Sequence, residues 1–211
     1  MSRILSIIEP GAIQQAVDRL NAGEVIAFPT DTVYALAGSL DSPVAARRIY
    51  AIKGRRFDKP LPVLLSNADR ISRVANTPDR RTLALADRFW PGPLTLIMPA
   101  RADAIAETVG EDKTVALRVP DHRQVRALIE AAGGALATTS ANLSGAEPSK
   151  SAVEVERQLG SAVDLILDDG QIRCGVASTI VRVIGDRFDI VRLGAIPANQ
   201  IETAWRELRP R

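Results

Sequence analysis

The stretch that decides the fold is VIAFPTDTVYALAG, residues 25–38. Residues 25–28 form a short apolar run stopped by Pro29, and residues 33–37 form a second run. Only the polar turn from Pro29 to Thr32 separates them. A parallel neighbour needs a crossover of a dozen or more residues, so strands this close argue for a mixed sheet. The far end of the chain repeats the signal. Residues 179–184 and 188–193 are strand-like and flank Gly185-Asp186, a tight hairpin turn.

Between these ends, strand and helix signals alternate, as in an α/β domain. Further strands are predicted at 4–8, 61–65, 94–98, 115–119, 135–139 and 163–167. A helix runs from Pro10 to Gly23, with Ile13, Ala16, Val17 and Leu20 at helical spacing. A second is capped by Ser42, has Pro43 at its first position and ends at Gly54. Others are predicted at 80–90, 123–132, 152–159 and 198–208. The polar loop from Glu107 to Lys113 is the candidate mobile segment. No repeat, low-complexity tract or linker divides the chain, and 211 residues with 46% apolar content suit one domain over 1–211.

Composition removes whole classes of function. His122 is the only histidine and Cys174 the only cysteine, which excludes an internal disulfide, a cysteine zinc site and most His-dependent triads. The lone thiol agrees with a reducing cytosol, and a cytoplasmic location is expected. No apolar run is long enough to span a membrane, and the start from Met1 to Pro10, with Glu9, carries no expectation of a secretory signal. There is neither a GxxxxGK[ST] loop nor a GxGxxG fingerprint, so a bound nucleotide needs another device. The formal net charge is only +2, but residues 47–59 hold six basic residues against one acid, Asp58.

That basic segment, Lys53-Gly54-Arg55-Arg56-Phe57-Asp58-Lys59-Pro60, reads either as a solvated face or as a triphosphate-binding loop placed just before a core strand. Pro29-Thr30-Asp31-Thr32 reads as an ordinary turn or a small polar ligand site. Thr138 to Gly145 (TTSANLSG) is a capped loop or a ligand-binding strand end. Arg118 interrupts an apolar strand and therefore needs an anionic partner, an internal carboxylate or a ligand; Arg192 before Leu193-Gly194 poses the same choice. The turn Trp90-Pro91-Gly92-Pro93 reads as structural, His122 as a surface residue at a helix start, and Cys174 as an inert thiol.

Taken in order, PTDTVYALAG (29–38), KGR and KPLPVLL (53–65), FWPGPLT (89–95), ALRVP (116–120), TSANLSG (139–145), and STIV with RLG (178–194) resemble the YrdC-like family, the threonylcarbamoyl-AMP synthases. The motif-bearing core covers about residues 22–196. The resemblance implies an α/β fold with a mixed twisted sheet, flanking helices and a deep basic cleft. It implies synthesis of threonylcarbamoyl-AMP and pyrophosphate from L-threonine, bicarbonate and ATP. Downstream proteins would transfer the threonylcarbamoyl group to the tRNA adenosine beside the anticodon, with a possible tRNA contact by the synthase itself. The only expected cofactor is Mg2+ carried with ATP; no protein metal site is expected.

Carried over by residue, Lys53 and Arg55 are the expected catalytic residues. Thr32, Arg118, Thr138 and Ser178 are the expected threonine contacts, and Arg55, Lys59, Thr114, Ser140, Ser149 and Arg192 the expected ATP contacts. Three features depart from the family pattern. Arg56 stands where many relatives have proline, Leu64 stands where some have a histidine contacting threonine, and the chain is expected to be the short form, ending at Arg211. The rival reading is an RNA-binding or ribosome-associated module using the same basic cleft, opposed by an aromatic content of 4%. A carbamoyl-adenylate domain of the hydrogenase-maturation type is opposed by the single cysteine.

Overall fold

The structure, a computed structural model, describes residues 3–208. The expected domain limits, residues 1 and 211, lie outside the described residues. Ten strands among the described residues form one sheet: β1 (Arg3–Ser6), β2 (Ile26–Phe28), β3 (Ala35–Ser39), β4 (Val63–Leu65), β5 (Leu94–Pro99), β6 (Thr114–Arg118), β7 (Ala135–Ser140), β8 (Leu165–Asp168), β9 (Thr179–Ile184) and β10 (Arg187–Arg192). Their spatial order is β1-β8-β2-β3-β7-β4-β6-β5-β9-β10. The pairs β1/β8, β2/β8, β4/β6 and β5/β9 are parallel and the remaining five antiparallel, so the sheet is mixed, as residues 25–38 predict.

Period-two alternation along the strands sorts the core into two faces. One face carries Ala27, Leu36, Val63, Leu96, Leu117, Ala137 and Val181, packed with residues of α2 (Pro43–Lys53), α3 (Arg80–Phe89), α5 (Ala152–Leu159) and α6 (Ala198–Glu207). The other face carries Ile26, Phe28, Ala35, Leu64, Leu136 and Leu165 under α1 (Ala12–Asn21) and α4 (Arg123–Ala131). Farther across the sheet, the same face of β5, β6, β7 and β9 presents Thr95, Arg118, Thr138, Ser140 and Ile180, which do not join that apolar cluster. The site forms where the apolar cover gives out.

Several predicted boundaries shift for local reasons. Strand β3 begins two residues later than expected because Thr30 Oγ1 donates to Val33 O and accepts from the Val33 amide, which keeps the turn closed that far. Strand β4 begins at Val63 because the Leu61 amide leaves the sheet to bond Glu107 O. Helix α1 starts at Ala12, since Gly11 takes a left-handed φ of 82° at the N-cap, a conformation that favours glycine. Of the hairpin strands, β9 is only partly buried and β10 is a mostly exposed edge. A 3-10 segment, Ala68–Arg73, has no counterpart in the sequence reading. The loop expected to be mobile is pinned at its start, where Thr108 is fully buried and Glu107 O also accepts from Tyr50 Oη at 2.9 Å.

Candidate active site

The sheet leaves a cleft of about 720 Å3, counting space open to solvent. Thr30, Thr32 and Val33 enter it from the β2–β3 turn and Arg55 from the loop after α2. Leu64, Thr95, Arg118 and Ile180 come from β4, β5, β6 and β9, Thr138, Thr139 and Ser140 from the end of β7, Ser178 from just before β9, and Arg192 from the end of β10. Three guanidinium groups line this space and no carboxylate does.

Arg118 is buried, and its partners explain how a strand interior tolerates the charge. Its Nη2 pairs with Asp31 Oδ1, Nη1 donates to Thr32 Oγ1 at 2.8 Å, and Nε donates to Gly92 O at 3.0 Å. Asp31 Oδ1 also accepts from the Asp121 amide at 3.1 Å, while Asp31 Oδ2 is buried without a partner. Of the two partners the sequence left open for Arg118, the internal carboxylate is present, and the guanidinium still faces the cleft. A charge held on three sides in this way is fixed in orientation before any ligand arrives.

Arg192 Nε and Nη2 donate to Ser178 O at 3.2 and 2.8 Å, and Nη2 also reaches Ser178 Oγ at 3.1 Å. Ser178 Oγ lies 2.7 Å from Thr95 Oγ1, so one of the two hydroxyls donates to the other. The RLG motif serves this contact sterically, because a Cβ on Gly194 would stand 2.2 Å from Ala177 O. Arg55 donates to Lys59 O at 3.0 Å and to Pro60 O at 3.1 Å, folding its own loop around the side chain. Burial, then Arg118 and Arg55, lower the Arg192 pKa below its usual value. Guanidinium groups gathered this closely make the cleft a favourable place for an anion.

Four expected residues fall elsewhere. Lys53 is buried and does not line the cleft. Its Nζ donates to Ser140 O at 2.5 Å, Asn142 O at 2.6 Å and Asn142 Oδ1 at 3.3 Å. Burial and then Arg55 press its pKa down to about 7, but three acceptors match the three protons of an ammonium and oppose that loss. Lys53 therefore ties the 140–142 segment in place from behind. Lys59 is exposed and contributes its carbonyl to Arg55. Ser149 is fully buried, with Oγ donating to Ala141 O at 2.6 Å and accepting from Gln158. The Thr114 hydroxyl donates to Asp112 Oδ1 at 2.6 Å, outside the cleft lining.

Sequence reading missed Asp31 and Thr95 as site residues. Asp31 had a signal, an acid in the turn facing a strand arginine, but the pairing spans 87 positions and is not local. Gly92 O likewise gives the Trp90–Pro93 turn a share in the site that its reading as structural overlooked. His122 caps α4 as expected, with Nδ1 accepting from Val125 N at 3.4 Å, but it is not a surface side chain: it is only 12% exposed and its Nε2 lies 3.1 Å from Asp169 Oδ2; Cys174 is exposed.

The sequence pattern of the Sua5–YciO–YrdC family, described as telomere recombination, matches residues 18–194. The chain belongs to this family. Within it, a threonylcarbamoyl-AMP synthase of Bacillus subtilis is 38% identical over 90% of this chain and 55% of its own length. One from Vibrio vulnificus is 39% identical over 74% of this chain and 84% of its own length. The crystal structure of Pyrococcus abyssi Sua5 complexed with L-threonine superposes with a TM-score of 0.89 at 33% identity, covering 97% of this chain and 60% of that one. The chain thus spans a little over half of the Bacillus and Pyrococcus family members. No helix among the described residues is long and apolar enough to cross a membrane.

Proposed function

We propose that this member of the Sua5–YciO–YrdC family is an L-threonylcarbamoyladenylate synthase, converting L-threonine, bicarbonate and ATP into threonylcarbamoyl-AMP, pyrophosphate and water. One observation carries the proposal. Arg55, Arg118 and Arg192 converge with the hydroxyls of Thr32, Thr138, Ser140 and Ser178 on a single cleft that has no carboxylate in its lining.

The chemistry suits such a cleft. The threonine carboxylate pairs with Arg118, beside the Thr32 hydroxyl. Its free amine adds to carbon dioxide from bicarbonate, losing a proton to give a carbamate. A carbamate oxygen then attacks the α-phosphorus of ATP and pyrophosphate leaves. No protein nucleophile takes part; the protein holds two anions close and offsets the charge that grows on the phosphates. Arg55 and Arg192 supply that field, and the exposed ammonium of Lys59, on the Arg55 loop but outside the cleft lining, is proposed to add to it. Magnesium is proposed to arrive on the nucleotide, where it would neutralise phosphate charge. The lining offers hydroxyls but no carboxylate, and no cluster of three or more acidic, His or Cys ligands occurs among the described residues, a donor set that suits a phosphate-held ion. The product is expected to pass to proteins that modify the tRNA adenosine next to the anticodon.

The test is pyrophosphate release from ATP, with threonine and bicarbonate omitted in turn. Release that needs both supports the proposal. Release indifferent to threonine overturns it, and tight, steeply salt-dependent RNA binding without any turnover favours the RNA-binding module instead.

A further inference from the structure

A hydroxyl has one proton to give, and several in this cleft have already given it. Thr138 Oγ1 donates to Pro62 O at 3.1 Å. Thr30 and Thr32 are both buried and both line the cleft. Thr30 Oγ1 donates to Val33 O at 2.6 Å and accepts from the Thr32 and Val33 amides at 3.2 and 3.3 Å. Thr32 Oγ1 lies 3.0 Å from Thr30 Oγ1. With the Thr30 proton spent on Val33 O, that contact is a hydrogen bond only if Thr32 donates it. From the other side, Arg118 Nη1 donates to Thr32 Oγ1 at 2.8 Å. Thr32 thus has no proton left for a ligand and one lone pair still open. Ser178 and Thr95 differ: one donates to the other, which leaves one proton of the pair free.

An amino acid brings a carboxylate, which only accepts, and an amine, which donates. Three guanidinium groups give the cleft donors in plenty, whereas no carboxylate in its lining accepts. We infer that Thr30 is a positioning residue for the substrate amine: it takes up the Thr32 proton, so that Thr32 meets the amine as an acceptor alone. The inference rests on the proposed use of L-threonine. Carboxylate and amine share one carbon, so a carboxylate on Arg118 brings the amine close to the hydroxyl that Arg118 Nη1 already touches. Asp31, the acid between the two threonines, lines the adjoining cavity and not the cleft. The distinction matters chemically. A carboxylate at the amine would favour the ammonium, which has no lone pair to attack with. A neutral oxygen among guanidinium groups favours the uncharged amine, and an amine that donates N–H to Thr32 keeps its lone pair for carbon dioxide.

The experiment is equilibrium binding of L-threonine, of L-2-aminobutyrate, which keeps the amine but not the hydroxyl, and of ATP to the full chain and its variants. Thr30→Val, which keeps the side chain's shape and loses its hydroxyl, is expected to weaken both amino acids about ten-fold, the scale of one hydrogen bond in a desolvated site, and to leave ATP affinity unchanged. Thr30→Ala is expected to show the same loss, and Thr30→Ser, which restores the hydroxyl, to recover most of it. In a Thr32→Val background, Thr30→Val is expected to cost at most about two-fold more, because the proton it controls is gone. Wild-type affinity in Thr30→Val and Thr30→Ala, an equal loss for ATP, no recovery in Thr30→Ser, or a ten-fold cost that persists without the Thr32 hydroxyl overturns the inference. A loss confined to threonine overturns it as well, since the amine would not then be the partner. A wild-type chain that binds no threonine overturns the proposed function itself, so the two failures are distinguishable.

Discussion

Leu117 and Arg118 are neighbours on β6, yet they belong to different worlds. Leu117 is fully buried on the face that α2, α3, α5 and α6 cover, and Arg118 is buried on the face that opens into the cleft. The same alternation separates Leu96 from Thr95, Ala137 from Thr138 and Val181 from Ile180. One face is closed by apolar contact and supplies stability. The other gives up that contact over part of its width and presents buried polar groups to the cleft. The sheet thus carries a scaffold and a site on a shared backbone, and mutations one residue apart are expected to separate them.

The largest effect is expected at Arg118, where the two roles meet. Removing the guanidinium strands the Asp31 carboxylate with side-chain exposure of only 15%. Arg118→Ala is therefore expected to cost about 3–5 kcal/mol in stability and to raise the threonine requirement by roughly 10- to 100-fold. Denaturant melts and threonine titrations measure the two parts. A variant as stable as wild type would show that the Asp31 pair contributes nothing net.

Arg55→Ala tests the site without the scaffold. Its internal partners are backbone carbonyls and it is only half-buried, so the fold should survive. Pyrophosphate release is expected to fall by roughly 10²–10³, the scale for deleting one preorganised electrostatic donor. Near-normal turnover would remove Arg55 from the proposed chemistry. Leu117→Ala tests the scaffold without the site: a loss of about 3 kcal/mol is expected from the cavity, with the Michaelis constants of the folded enzyme unchanged. A shift in either constant would show that the two faces are mechanically coupled.

The comparison also marks how far the sequence was legible. Local chemistry was readable: Ser42 accepting from Ala45 N, Pro43 and left-handed Gly54 delimit α2 where predicted, and α5 and β9 have the predicted limits. Each depends on residues a few positions apart. Strand order was not legible, because it rests on pairings such as Gly38 with Ala137, set by the whole sheet rather than by any one strand. Roles followed the same divide. The motifs carried Arg55, Arg118 and Arg192 to one cleft, but a positive charge in a motif does not say whether it faces ligand or backbone. Lys53, two residues from Arg55, spends its ammonium on Ser140 and Asn142 instead. Helical phase separates them: Lys53 is the last residue of α2, facing inward, and Arg55 follows the Gly54 break.

The smallest effect concerns the closed face alone. Asp79 caps α3, accepting from Arg81 N at 2.9 Å, Thr82 N at 3.0 Å and Thr82 Oγ1 at 2.5 Å. Burial raises its pKa, but the hydrogen bonds from Thr82 and Arg81 outweigh burial and hold the carboxyl below its usual range. A carboxyl with a folded pKa lower than its unfolded one adds stability above the unfolded value, about 4, and loses it as pH falls through the folded one. Asp79→Ala is thus expected to cost about 1 kcal/mol at pH 7, the usual worth of an N-cap, with the gap to wild type narrowing below about pH 4. Urea melts at pH 7 and pH 3 measure it. The affinities for ATP and threonine should not change, since α3 packs on the face away from the cleft. If they do change, the division of labour between the two faces is not what the alternation of side chains implies.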